Sequence, residues 1–146
     1  MDKISIIIPC YNEQEAIPIF YEAIVRTAET LSQVQMEFLF VNDGSKDGSL
    51  KEMKRLAEKD ERVKYVSFSR NFGKEAAMYA GLSYASGDYI ATMDVDLQDP
   101  PELLPDMYRF IKEEGYDCVA TRRVTRKGEP IIRSFFARMF YRMMHR

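Results

Sequence analysis

Short apolar runs alternate with longer stretches of helical periodicity along the whole chain. Residues 4–8 read as a buried strand that Pro9 ends, and Pro9, Cys10, Tyr11, Asn12 and Glu13 then lead into a helix. Pro18 falls in the first turn of that helix, where a missing N–H costs little. Ile17, Phe20, Tyr21, Ile24, Ala28 and Leu31 share one face as far as about residue 32. Residues 38–41 predict a second buried strand, followed by a loop, 42–49, dense in turn formers and helix N-cap residues. Leu50, Met53, Leu56 and Ala57 mark a second helix. Residues 63–68 predict a third strand, and the loop from Ser69 to Glu75 turns into an Ala-rich helix reaching about residue 85. Residues 89–93 predict a fourth strand, Pro101 opens a helix to about residue 114, and residues 117–121 predict a fifth strand.

Strands alternating with helices at this spacing predict an α/β fold, a mostly parallel sheet with helices on both faces. No internal repeat, low-complexity tract or interdomain linker interrupts it. Ligands of such sheets bind beyond the carboxyl ends of the strands. The loops there contain residues 9–13, 42–48, 70–74 and 94–99, and Arg122, so polar residues from five loops are expected to converge on one edge.

Composition narrows the picture. At 146 residues, 46% hydrophobic and 30% charged, the chain reads as one soluble globular domain or a large piece of one. No apolar run approaches the roughly 18 residues of a membrane span, and the start does not read as a signal peptide. Cys10 and Cys118 fall in or beside predicted strands, which suits buried thiols in a reducing compartment. The single histidine, His145, is next to last, which argues against a histidine-based metal site or a Ser-His-Asp triad. The net charge of −2 hides an asymmetry: residues 122–146 hold eight Arg or Lys and one Glu, net +7, and the rest of the chain is net −9. Such a tail suits an anionic partner, a membrane surface or a phosphate.

The chemistry concentrates in GDYIATMDVDLQDPPE, residues 87–102. In an extended chain Asp94 and Asp96, two apart, leave the same side of the backbone. At ~5 Å and an effective dielectric of ~20 the two charges repel by roughly 3 kcal/mol, so the strand end needs a cation. Mg²⁺ or Mn²⁺ fits, because such an ion takes few carboxylates and completes its shell with water and phosphate oxygens. Gln98 adds a neutral oxygen two residues on. Neither G-x-G-x-x-G nor a G-x-x-x-x-G-K loop follows the first strand, so a metal would carry the phosphate charge. Each residue also fits a plainer role. Asp-x-Asp before Pro-Pro fits a polar turn, Glu13 a helix cap, Asp43 a turn, Tyr11 a packing aromatic, and Arg122 with Arg123 a solvated face. Arg70 and Lys74 are read as a solvated pair and stay outside the site. Convergence at one edge sets the others apart.

IIIPCYNE, VNDGSKDGS, SRNFGKEAA, GDYIATMDVDLQDPPE and VATRR stand in the order and spacing of inverting family 2 glycosyltransferases with a GT-A fold. The chain most resembles the polyprenyl-phosphate branch, the bactoprenol glucosyltransferases and dolichyl-phosphate mannose synthases, over essentially its whole length. The resemblance implies a three-layer GT-A fold in which Pro9, Tyr11 and Glu13 line the nucleotide pocket, and Val41 and Asp43 meet the base. It implies that Asp94 and the Val95 backbone contact the nucleotide sugar, that Asp96 and Gln98 hold the metal beside Asp94, and that Arg122 faces the diphosphate. Asp94 and Asp96 are the expected catalytic pair. Val95 replaces the alanine common in DADLQ. Relative to the family the chain reads as an N-terminal fragment: residues 1–125 as the nucleotide-sugar-binding part, 126–146 as the start of an acceptor-side, basic amphipathic helix. The implied partners are a nucleotide-diphosphate sugar, UDP-glucose favoured, a polyprenyl (undecaprenyl) phosphate and an anionic membrane surface on the cytoplasmic side. No nucleic acid is expected, and a homo-oligomer is left open. A sugar-hydroxyl acceptor, or a domain that binds the donor without turnover, are the other readings.

The tail supports the membrane expectation independently. Ile132, Phe135, Phe136, Met139, Phe140, Met143 and Met144 fall at helical spacing, and Arg138, Arg142 and Arg146 repeat every fourth residue. That pattern suits a helix lying in a membrane interface; the alternative is an amphipathic helix packed on the half of the family's domain expected beyond this fragment.

Overall fold

The structure is a computed structural model and describes residues 1–121. β1 (Lys3–Cys10), α1 (Ala16–Thr30), β2 (Gln35–Asn42), α2 (Ser49–Lys59), β3 (Val63–Ser67), α3 (Lys74–Tyr84), β4 (Tyr89–Thr92) and α4 (Leu104–Glu114) follow one another, with a 3-10 turn at Pro101–Leu103 leading into α4. The four strands form one sheet in the order β3-β2-β1-β4, with every neighbouring pair parallel.

Alternation along the strands sorts the two faces. Ile4, Ile6, Ile8 and Cys10 of β1, with Met36, Phe38 and Phe40 of β2, pack against Ile17, Phe20 and Ile24 of α1, Met53 and Leu56 of α2, and Leu104 of α4. Each such side chain contributes about 1.5–3 kcal/mol when fully buried. The opposite face carries a smaller cluster, Ile7, Val41 and Ala77, the last from α3. Gly81 permits the approach of α3, because a Cβ there would stand 2.3 Å from Ile7 Cγ2.

Four expectations need correction. Pro9 does not end β1, which runs to Cys10 with Pro9 in register with Val41. Residues two apart on a parallel strand face the same neighbour, and Ile7 accepts from Met93 on the β4 side, so the Pro9 nitrogen also faces that side. The β1–β4 register has ended there, at Ile7 with Thr92, and no ladder bond is lost. β2 begins at Gln35, three residues before the expected start, and takes in the buried Glu37. The expected fifth strand at 117–121 does not form: those residues line the hollow beside the β4 edge without joining the sheet. Cys118 is therefore exposed, while Cys10 is buried as expected. Among the described residues no helix is long and apolar enough to cross a membrane. Arg122, the boundary after residue 125 and the helix expected in the tail lie outside the described residues.

Candidate functional site

A cleft of about 200 Å³ opens beyond the carboxyl ends of β1, β2 and β4, lined by Pro9, Cys10, Tyr11, Glu13, Asp43, Lys74, Ala77, Asp94, Val95 and Asp96. Two loops build one wall by exchanging hydrogen bonds. The Asn12 amide donates to Ser45 Oγ at 2.9 Å, and the Lys46 amide donates to Asn12 Oδ1 at 2.8 Å. The Glu13 amide donates to Ser49 Oγ at 2.8 Å, and the Gly48 amide to Gln14 Oε1 at 2.6 Å. At the start of α1 the Glu13 backbone carbonyl, not its side chain, accepts from the Ala16 and Ile17 amides, so the cap reading of the carboxylate does not describe this site.

Asp43 fixes the second wall. It is 4% exposed, and its carboxylate accepts from the Phe72 amide at 2.7 Å and the Gly73 amide at 3.1 Å. The loop it holds packs on Gly44, whose φ is +67° and whose Cβ, if present, would lie 2.1 Å from the Arg70 carbonyl carbon. That loop delivers Lys74, the first residue of α3, into the cleft.

The third wall is the end of β4. The strand stops at Thr92, yet inward–outward alternation continues: Met93 and Val95 are buried in the main core, and Asp94 and Asp96 reach the cleft. A turn follows in which the Gln98 amide donates to Asp96 Oδ1 at 3.0 Å. Between them Leu97 sits at φ 58°, a left-handed conformation costing a bulky residue about 1–2 kcal/mol, while its side chain packs on the main core. The strained residue sets the direction in which the Asp96 and Gln98 side chains leave the backbone.

The electrostatics follow from this crowding. Glu13, Asp43, Asp94 and Asp96 line the cleft with Lys74 as the one cation among its described lining residues. Burial raises the Glu13 carboxyl above its ordinary range, and the charges of Asp96, Asp47 and Asp94 add to that. Burial likewise pushes the Cys10 thiol far up, with Glu13 and Asp94 adding to it, so it stays protonated and inert. The Lys74 ammonium lies 2.7 Å from the Asp94 carboxylate. A cation at the strand end is thus supplied by the first residue of α3.

Of the expected site residues, Pro9, Tyr11, Glu13, Asp43, Asp94, Val95 and Asp96 come together in the cleft. Val41 is fully buried in the small cluster with Ile7 and Ala77 and is not among the residues that line the cleft. Gln98 is exposed and outside the lining. Lys74, which the sequence reads with Arg70 as a solvated pair, lines the cleft; the signal that could have found it is the charge deficit at Asp94 and Asp96. Arg70 instead places its guanidinium 4.7 Å from the centre of the Phe72 ring. Among the described residues no three His, Cys, Asp or Glu side chains group as a ready metal cage. The donors of Asp94, Asp96 and Gln98 are hard oxygens, which fit Mg²⁺ or Mn²⁺ bound through few protein ligands.

A protein family described as Glycosyl transferase family 2 matches residues 5–144. A prophage bactoprenol glucosyl transferase homolog from Escherichia coli (strain K12) is 44% identical over 141 residues, 97% of this chain and 45% of that protein. The bactoprenol glucosyl transferase of Shigella phage SfV is 43% identical over 141 residues, again 97% of this chain and 45% of that protein. The chain spans less than half the length of these curated relatives. Mannosyltransferase PcManGT from Pyrobaculum calidifontis, solved in complex with GDP-Man and Mn²⁺, superposes with a TM-score of 0.66 at 23% identity, over 77% of this chain and 33% of that one. At that identity the likeness is one of fold alone.

Proposed function

The chain belongs to glycosyl transferase family 2, and from that premise we propose that it forms the donor-binding part of an inverting glycosyltransferase. Its α/β architecture is the GT-A fold. The reaction is transfer of a hexose, glucose foremost, from a nucleotide-diphosphate sugar, UDP-glucose foremost, to a polyprenyl phosphate. The place is the cytoplasmic face of the cell membrane. One observation carries this reading: Asp94 and Asp96 meet Glu13 and Lys74 in a single cleft at the strand ends. The names of the relatives at 43% and 44% identity support glucose and a polyprenyl acceptor.

In this reading Pro9, Tyr11 and Glu13 border the nucleotide, Asp43 accepts a hydrogen bond from the base, and Arg122 faces the diphosphate. Asp94 and the Val95 backbone contact the sugar. Asp96 and Gln98, beside Asp94, would hold Mg²⁺ or Mn²⁺, and the bound ion would supply positive charge to the diphosphate leaving group. The acceptor phosphate is an anion at neutral pH and needs little from a general base, in keeping with the lack of histidine among the described lining residues. Its oxygen bonds to the anomeric carbon as the bond to the diphosphate oxygen breaks on the opposite face, which inverts the centre. The buried, protonated Cys10 offers no competing nucleophile.

The test follows radiolabelled glucose from UDP-glucose into the organic phase in the presence of undecaprenyl phosphate and Mn²⁺. Label that enters the organic phase only with both lipid and metal supports the proposal. Label transferred to a free sugar instead assigns a sugar-hydroxyl acceptor, and donor binding without any transfer reduces the chain to a binding module.

A further inference from the structure

Lys74 stands at the junction of everything that shapes the cleft. The loop before it is pinned by Asp43 through the Phe72 and Gly73 amides, and Gly73, at φ 100°, turns the chain into α3. The ammonium then spans the cleft to Asp94 at 2.7 Å, although the side chains of the pair remain 54% and 41% exposed. An ion pair that open to water holds its partner by no more than about a fivefold factor. Lysine is also a point charge on a flexible four-carbon stem, able to re-aim where an arginine fork would be fixed.

The charge balance gives this mobility a use. Among its described lining residues, four carboxylates face one ammonium. A divalent ion at Asp94 and Asp96 repels the ammonium from Asp94, yet it neutralises only two of the four negative charges. A nucleoside diphosphate entering the cleft brings more negative charge. Beside Arg122, which the donor-site reading assigns to the diphosphate, the released ammonium is the cation already inside the described cleft. We propose that Lys74 is the cleft's exchangeable counter-ion: it holds Asp94 while no divalent ion is bound, and it turns to the diphosphate when one is. The inference rests on the donor-site reading above, and it adds a coupling between metal and nucleotide that the expected ligand set does not contain.

The experiment titrates Mn²⁺ alone, and then UDP at saturating Mn²⁺, into the wild-type chain and the variants Lys74→Met and Lys74→Arg, by calorimetry. Lys74→Met should bind Mn²⁺ tighter, by up to about fivefold, because its competitor is gone. It should bind UDP at least about tenfold weaker, because a charge-assisted hydrogen bond to phosphate is lost. Lys74→Arg keeps the charge and should not bind Mn²⁺ tighter than wild type. Unchanged or weaker Mn²⁺ binding by Lys74→Met overturns the exchange, as does a tighter Lys74→Arg. Tighter Mn²⁺ with unchanged UDP overturns the transfer to diphosphate. A wild-type chain that binds neither Mn²⁺ nor UDP overturns the donor-site reading itself, whereas one that binds both beside an unaltered Lys74→Met removes the role of Lys74 alone.

Discussion

The carboxylate of Asp43, at the end of the β2 side of the cleft, accepts the amide of Phe72, 29 residues away, at 2.7 Å. Its other oxygen accepts from Gly73 at 3.1 Å, so one buried side chain fixes the loop that presents Lys74. Each amide left unpaired in Asp43→Ala should cost about 1–3 kcal/mol, measured by denaturant unfolding. UDP affinity should fall with it, by roughly 1.5–3 kcal/mol if a charge-assisted bond to the base is also lost. Inorganic pyrophosphate separates the two roles. Weaker UDP with unchanged pyrophosphate assigns Asp43 to the base, and equal losses assign it to the loop alone.

The Asp96 turn makes the second prediction. With hard oxygen donors at Asp94, Asp96 and Gln98, UDP-glucose should bind at least about tenfold tighter in Mn²⁺ than in EDTA, a difference of about 1.4 kcal/mol. Asp96→Ala should abolish that difference while leaving the fold intact, since Asp96 is exposed. Calorimetry showing equal affinity in Mn²⁺ and EDTA for the wild-type chain would remove the metal from the site.

What the sequence made legible, and what it hid, has a physical pattern. The β1, β2 and β4 runs were readable because apolar residues crowd buried parallel strands, and the loops were readable because turn formers cluster at their ends. Pro9 misled because proline is tolerated wherever the neighbouring ladder has ended, which depends on register. Glu37 misled in the same way: a charge inside a strand reads as a boundary until its partners from distant segments are known. The expected strand at 117–121 has a strand-like composition, but a strand exists only by pairing, and among the described residues it has none. Lys74 was hidden because its partner Asp94 lies 20 residues on and meets it only through the fold.

Gly44 supplies the third prediction. Alanine there would adopt φ +67° and bring its Cβ to 2.1 Å from the Arg70 carbonyl carbon. Left-handed strain of about 1–2 kcal/mol and overpacking of about 1–3 kcal/mol should add. Gly44→Ala should therefore lower the urea midpoint by an amount corresponding to roughly 2–5 kcal/mol, and weaken UDP because the loop carrying Phe72 must shift. A variant as stable as wild type would show that the two loops are not in the close contact described.

Glu37 makes a prediction in pH. It is 1% exposed and accepts from Ser5 Oγ, from the Ser86 amide and hydroxyl, and from Lys64 and Lys3. Burial by itself would raise the carboxyl, but the bonds from Lys64, Ser5 and Ser86 outweigh it and hold the group well below its ordinary 4.5. A carboxyl lowered in the folded state contributes its full stabilisation above the ordinary value and loses it as pH falls from there toward the folded value. Glu37→Gln should cost about 2–3 kcal/mol at neutral pH, toward the low end for a broken buried pair because Lys64 is half exposed. The gap between variant and wild type should close as pH drops below about 4.5. A gap of constant size from neutral to acidic pH would show that the charge of Glu37 contributes nothing.

The tail carries the last prediction, from its sequence. Between residues 131 and 146 stand Phe135, Phe136, Met139, Phe140, Met143 and Met144, interleaved with Arg133, Arg138, Arg142 and Arg146. Buried in a membrane interface, each Phe or Met is worth up to roughly 1.5–3 kcal/mol. The arginines add about 1 kcal/mol apiece near an anionic surface, a contribution that salt screens within a Debye length of about 10 Å at 0.1 M. The apolar part does not screen, so high salt should weaken membrane binding without abolishing it. Liposome flotation of the chain with and without residues 131–146 reads this directly, on anionic and on neutral lipid. The full chain should float with anionic vesicles at low salt, float less at high salt, and bind neutral vesicles weakly, while the shortened chain stays at the bottom of the gradient. If both forms float alike, or neither floats, the segment packs on protein instead, and the acceptor must reach the cleft without help from these residues.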